Sequence, residues 1–130
     1  FGGTTVFLSP CSADPFQGKV VRASAGSITQ ARIYEECTES DLEILKNRYG
    51  FTLVAGMASG SQPLSALNKK PGNFLMFGAE ATGLKDSLID MSDSRIRIPR
   101  SGKVESLNLA ISVGCFLYHL TSKSDRNFNE

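Results

Sequence analysis

Residues 96–120 are IRIPRSGKVESLNLAISVGCFLYHL. A short β-branched and basic run ends at Pro99, a glycine turn follows, and the chain is then almost wholly apolar from Leu107 to Leu120. This predicts a strand over 95–99 and a final helix over 106–121. A helix that is apolar all round belongs in a buried setting. This one opens on Ser106 and Asn108, with Leu107 between them. Ser106 can cap the helix and Asn108 can be a satisfied polar residue of its first turn. The alternative is that both face a ligand. The run is too short, and too interrupted by Asn108, Ser112 and Gly114, to span a membrane.

Working upstream, FLMFG (74–78) is a continuous apolar run, the pattern of a strand covered on both faces. LKDSLIDM (84–91) reads as a short helix, QPLSAL (62–67) as one helical turn and KKPGN (69–73) as a turn. FTLVAG (51–56) is a strand. Ahead of it, Thr38-Glu39-Ser40-Asp41 fits a capping box, Leu42, Leu45 and Tyr49 recur on one helical face, and Gly50 fits the position just past the helix end. With ARIYEE (31–36) as a further strand, the 31–56 segment predicts a right-handed βαβ unit. TTVFLS (4–9) predicts a buried strand, and a helix is expected from about Gln17 to Ser27. Strands alternate with helices throughout, so the expected class is α/β with a mainly parallel sheet flanked by helices.

Bulk properties narrow the function. The 130 residues suffice for one domain with a real core, 41% of them hydrophobic. Fourteen basic residues against 13 acidic ones give a net charge of +1, so there is no global field to attract nucleic acid. Any RNA contact would come from local groups such as Arg97, Arg100 and Lys103. Three cysteines without a CxxC argue against a disulfide framework or a zinc site, and read as buried free thiols. No signal peptide is apparent. The terminal TSKSDRNFNE reads as a polar tail over 122–130, leaving 1–121 as the domain.

In open α/β folds ligands bind beyond the carboxyl ends of the strands. The loops in question follow 51–56, 74–78 and 95–99. In GAEATG, Gly78 and Gly83 permit unusual backbone angles or close approach, with Glu80 between them. The spacing is neither GxGxxG nor a P-loop, and by itself also fits a plain glycine-rich turn.

Taken together, FLMFGAEATGL and IRIPRSGKVESLNLAISVGCFLYHL resemble motifs 2 and 3 of the SpoU/TrmH family, the RNA 2′-O-ribose methyltransferases of the SPOUT class. VFLSPCSADPFQGKVVRASAGSI (6–28) is similar to that family's second strand and following helix. The resemblance implies an α/β domain with a C-terminal trefoil knot that dimerises through the knot region. It implies S-adenosyl-L-methionine as cofactor, no metal, no membrane, and a cytoplasmic (or organellar matrix) protein acting on rRNA, with tRNA second. By carry-over, Ala55, Gly78, Ile98 and Leu107 line the cofactor pocket. Glu80, Ser106 and Asn108 are the catalytic polar positions, and Arg100 and Lys103 the RNA contacts.

Arg100 departs from the family's usual methionine. The family's motif 1, an asparagine and an arginine in a helix ending Phe-Gly, is met here only at Phe1-Gly2. On that reading the 130 residues alone are expected to be weak or inactive. Two other functions stay open: a knotted dimeric module that binds S-adenosylmethionine or RNA without turnover, and a Rossmann-like nucleotide binder. LSPCSADP (8–15) lacks the GxGxxG that the last of these needs. His119, in the final helix, is read as a core-edge or dimer-interface residue.

Overall fold

The computed structural model describes residues 5–10, 12–101 and 107–122. The chain divides into two compact units, one running up to Arg48 and the other from Tyr49 on.

In the first unit, β1 (Thr5–Phe7) pairs in parallel with a strand at Arg32–Tyr34. Between them α1 spans Gly18–Ala23, shorter than the sequence pattern suggests. The helix stops because Ala25 and Gly26 both adopt positive φ, 48° and 86°, and a 3₁₀ turn at Ser27–Gln30 follows. The Arg32–Tyr34 strand is β2, and its Tyr34 ring stacks on Phe7 at 5.1 Å. The expected burial of β1 is not found: Thr5 and Val6 are exposed, in a sheet that has two strands among the described residues.

The helix α2 (Glu39–Tyr49) forms as its capping box predicts. The Asp41 carboxylate accepts from the Thr38 backbone N–H and from the Thr38 hydroxyl, each at 2.8 Å. These bonds, the backbone one first, hold the Asp41 carboxyl below its ordinary pKa. Leu42 is buried, and Gly50 follows the helix at φ 70°. Cys37, half-buried rather than buried, is raised above the usual thiol pKa, by burial first and by the charge of Asp41 second. Cys115 is also half-buried and free, and Cys11 lies outside the described residues.

The second unit holds β3 (Thr52–Gly56), β4 (Gln62–Pro63), β5 (Asn73–Phe77), α3 (Asp86–Met91), β6 (Ser94–Arg97) and α4 (Leu109–Thr121). The strand order is β4-β6-β3-β5, with every pairing parallel. Since β2 pairs with β1 whereas β3 pairs with β5 and β6, the βαβ unit expected over 31–56 is not formed. Its two strands lie in different sheets.

The strand covered on both faces is β3, not β5. Leu53, Val54 and Ala55 are all 0% exposed, whereas β5 lies at the sheet edge and buries Met76. The core joins Val54, Ile96, Leu67 and Phe116, the last from α4, and the rings of Phe116 and Phe77 meet edge to face at 5.1 Å. Two contacts fix the far end of α4. The His119 ring bonds the Leu67 carbonyl at 2.9 Å, and the Lys69 ammonium donates to the Ser122 carbonyl at 3.0 Å, where a cation complements the helix dipole. The remainder of α4 is less enclosed than an all-apolar pattern suggests, with Ile111 and Tyr118 57% and 64% exposed.

Candidate functional site

Because β3, β5 and β6 run parallel, the loops that leave their carboxyl ends emerge on one edge of the sheet. The α4 N-terminus meets them there, and together they enclose a cleft of about 450 Å³. That volume falls in the range of about 300–1,000 Å³ typical of small-molecule sites.

Each wall has a local cause. At Gly56, the last residue of β3, a side chain would run into the Phe77 ring, and the loop follows from Met57. The loop after β5 folds back on itself: the Gly83 N–H bonds the Ala79 carbonyl at 2.8 Å, and Gly83 takes φ 70°. A Cβ on Gly78 would fall on the backbone of Gly83 and Leu84. Both glycines of GAEATG are therefore required, Gly78 for close backbone approach and Gly83 for its angle. After β6, Ile98 and Arg100 continue the lining.

The polar centre of the cleft is a bridge between two of these segments. The Asn108 side-chain amide donates to Glu80 Oε1 at 3.1 Å, and the Leu109 N–H donates to the same oxygen at 3.3 Å. The Asn108 carbonyl oxygen in turn accepts from the N–H groups of Ala110 (2.9 Å) and Ile111 (3.4 Å). Asn108 is thus the N-cap of α4, which starts at Leu109 rather than at 106. The orientation of its amide follows chemically, since a carboxylate needs donors and backbone N–H groups need an acceptor. A carboxylate at a helix N-terminus is also favoured by the helix dipole.

Of the positions singled out in the sequence, Gly78, Glu80, Ile98, Arg100, Leu107 and Asn108 all line this one cleft. Ala55 does not reach it: fully buried in β3, it belongs to the core, and the wall starts one residue later at Gly56. Ser106 and Lys103 lie outside the described residues. Sequence reading missed Met57, Leu84, Ser112 and Phe116 as lining residues. A signal existed for the last two, which follow Asn108 at intervals of four and so share its helical face.

A model of the SpoU rRNA Methylase family matches residues 1–118. The chain belongs to the SpoU rRNA methylase family. Over 115 residues this SpoU chain is 30% identical to an uncharacterised tRNA/rRNA methyltransferase of Synechocystis, covering 87% of the chain and 41% of that protein. It is 27% identical over 119 residues to the 23S rRNA (guanosine(2553)-2′-O)-methyltransferase of Bacillus subtilis, covering 92% of the chain and 48% of that protein. Among solved structures, an AdoMet-bound rRNA methyltransferase from Sinorhizobium meliloti superposes with a TM-score of 0.82 at 30% identity, covering 90% of the chain and 45% of that structure. The SpoU chain thus spans less than half the length of these relatives. Its architecture, parallel sheets flanked by helices, is that of SpoU methyltransferase structures.

Proposed function

We propose that the cleft holds S-adenosylmethionine, and that the domain serves methyl transfer to a ribose 2′-hydroxyl of RNA, ribosomal RNA first and tRNA second. The observation that carries this reading is the convergence of the β3, β5 and β6 loops on the capped start of α4. The lining fits the cofactor. Met57, Leu84, Ile98 and Leu107 offer apolar surface for an adenine ring, and the absence of side chains at Gly56 and Gly78 leaves backbone free to approach its polar edges. When bound, S-adenosylmethionine supplies the activated methyl group.

The chain's own residues contribute walls and position. The apolar lining residues offer contact surface, and the Glu80–Asn108 bridge holds the loop after β5 against α4. That bridge gives both residues a positioning role beside the catalytic one that the family resemblance implies. Holding hydroxyl and methyl in line is worth more than a base alone, whose usual contribution is about 10²–10⁴-fold. Arg100, on the cleft lining, is the RNA-phosphate contact of this reading, with Lys103. The relatives named for rRNA and 2′-O-methyl transfer support the substrate class.

The strand order supports a knotted path. Only five residues, 57–61, separate β3 from β4, yet β6 lies between them in the sheet. The late strand therefore runs between two early segments joined by a short link. Threaded chains are rare, and this order is what one requires. The apolar, exposed face of α4 at Ile111 and Tyr118 supports a homodimer built on this helix.

The test is incubation of the domain joined to the family's motif 1 segment with rRNA and methyl-labelled S-adenosylmethionine, followed by nucleoside analysis. Label in a 2′-O-methyl nucleoside is expected. Label confined to base-methylated nucleosides would overturn the ribose assignment, and saturable binding without transfer would leave a non-catalytic module.

A further inference from the structure

We infer that Arg97 is a positioning residue that clamps the β3–β4 loop and so sets one wall of the cleft. Its guanidinium Nη1 donates to two consecutive loop carbonyls, Gly60 at 2.8 Å and Ser61 at 3.0 Å. Arginine was a candidate RNA contact by its charge alone. In the fold its charged head instead closes over the chain's own backbone.

The geometry around it makes the loop a strap across β6. The Met57 N–H donates to the Ile96 carbonyl at 2.9 Å on one side of that strand. On the other side β4 resumes pairing, with Gln62 opposite Ile96 and Pro63 opposite Arg97. Between them Gly60 is buried and packed flat against β6. A Cβ there would stand 2.5 Å from the Ile96 carbonyl carbon and 2.6 Å from the Arg97 nitrogen. Backbone cannot yield as a flexible side chain can, so residue 60 must be glycine for the strap to lie down.

Met57 and Ala58, at the near end of the strap, line the cleft, and so do Ile96 and Ile98 on either side of Arg97. A five-residue loop with few backbone partners would otherwise fluctuate. Charge-assisted bonds to its carbonyls order it before any ligand arrives, which lowers the ordering cost of binding.

This inference rests on the reading of the cleft as an S-adenosylmethionine site, and the experiment separates the two. Wild type, Arg97→Ala, Gly60→Ala and Arg95→Ala are titrated with S-adenosylmethionine in the absence of RNA, and hydrogen exchange is followed at the Met57 and Gly60 amides. Arg95 is the charge control: it lies on the same strand, pairs with Asp90 at 3.4 Å, and is no part of the cleft lining.

Arg97→Ala and Gly60→Ala are each expected to weaken binding by about tenfold or more and to speed exchange at both amides. Arg95→Ala is expected to match wild type. Wild-type affinity and unchanged exchange in a folded Arg97→Ala protein would overturn the inference. If Arg97→Ala does not fold, Arg97→Met decides it by the same two readouts, since it keeps the apolar stem and removes the donors to Gly60 and Ser61. If wild type itself shows no binding, the ligand reading falls. The exchange rates then still decide whether Arg97 clamps the loop.

Discussion

Asn108 shows how one side chain can answer to both folding and function. Its carbonyl oxygen caps α4 and its amide holds Glu80, so it ties the loop after β5 to the last helix. Loss of the cap in Asn108→Ala should lower stability by about 0.5–2 kcal/mol, read as a lower melting temperature. In the methylation assay Asn108→Ala and Glu80→Ala should each cut turnover at least about tenfold, equivalent to ~1.4 kcal/mol in the barrier. Glu80→Gln separates position from charge. It keeps an acceptor oxygen for the Asn108 amide and the Leu109 N–H, and should retain most of the activity. A Glu80→Gln protein as inactive as Glu80→Ala would point to the carboxylate acting on the reacting groups directly. The residue types of this pair were legible in the sequence, and the structure brings them to one cleft. Their mutual bond was not legible, because it joins positions 28 residues apart in the chain.

At the scale of elements, local signals served well and non-local ones did not. The α2 capping box lies within four consecutive residues, so its spacing alone specified the Asp41 reach-back to the Thr38 N–H, while the Thr38 hydroxyl donates to the same carboxylate. It also carries a pH dependence. The Asp41 carboxyl is held below its unfolded pKa, so its contribution is present above the unfolded value and fades as pH falls through the folded one. Melting temperatures of wild type and Asp41→Asn should therefore differ at neutral pH and converge in acid. A gap that persists unchanged in acid would contradict the assignment.

The strand pairings were less legible. An apolar run such as FLMF shows that a strand is apolar, but not whether it is central. Here β5 takes the edge and β3 the centre. Two candidate caps two residues apart, Ser106 and Asn108, likewise left the start of α4 open until the fold chose Asn108. Phe116 is the clearest packing element of α4, 1% exposed and in edge-to-face contact with Phe77. Phe116→Ala should cost about 3–5 kcal/mol of stability, measured by urea unfolding. A loss below about 1 kcal/mol would mean that the helix contributes little to this core.

For the whole molecule, the family could be read from residues because two motifs well apart in this chain contribute to one cleft. GAEATG and the described ends of IPRSGKVESLN, 98–101 and 107–108, are far apart in the chain, and the parallel strands bring them to one cleft. The cleft that results has two glycine-built walls, an apolar lining and a fixed polar bridge, and the account stands on its occupant. The most direct measurement is calorimetric titration of the folded chain with S-adenosylmethionine. Saturable binding at one molecule per chain, lost when Gly78→Val forces the loop after β5 off its own backbone, is the predicted result. No saturable heat from a chain shown to be folded, or unchanged binding in a folded Gly78→Val protein, would contradict it.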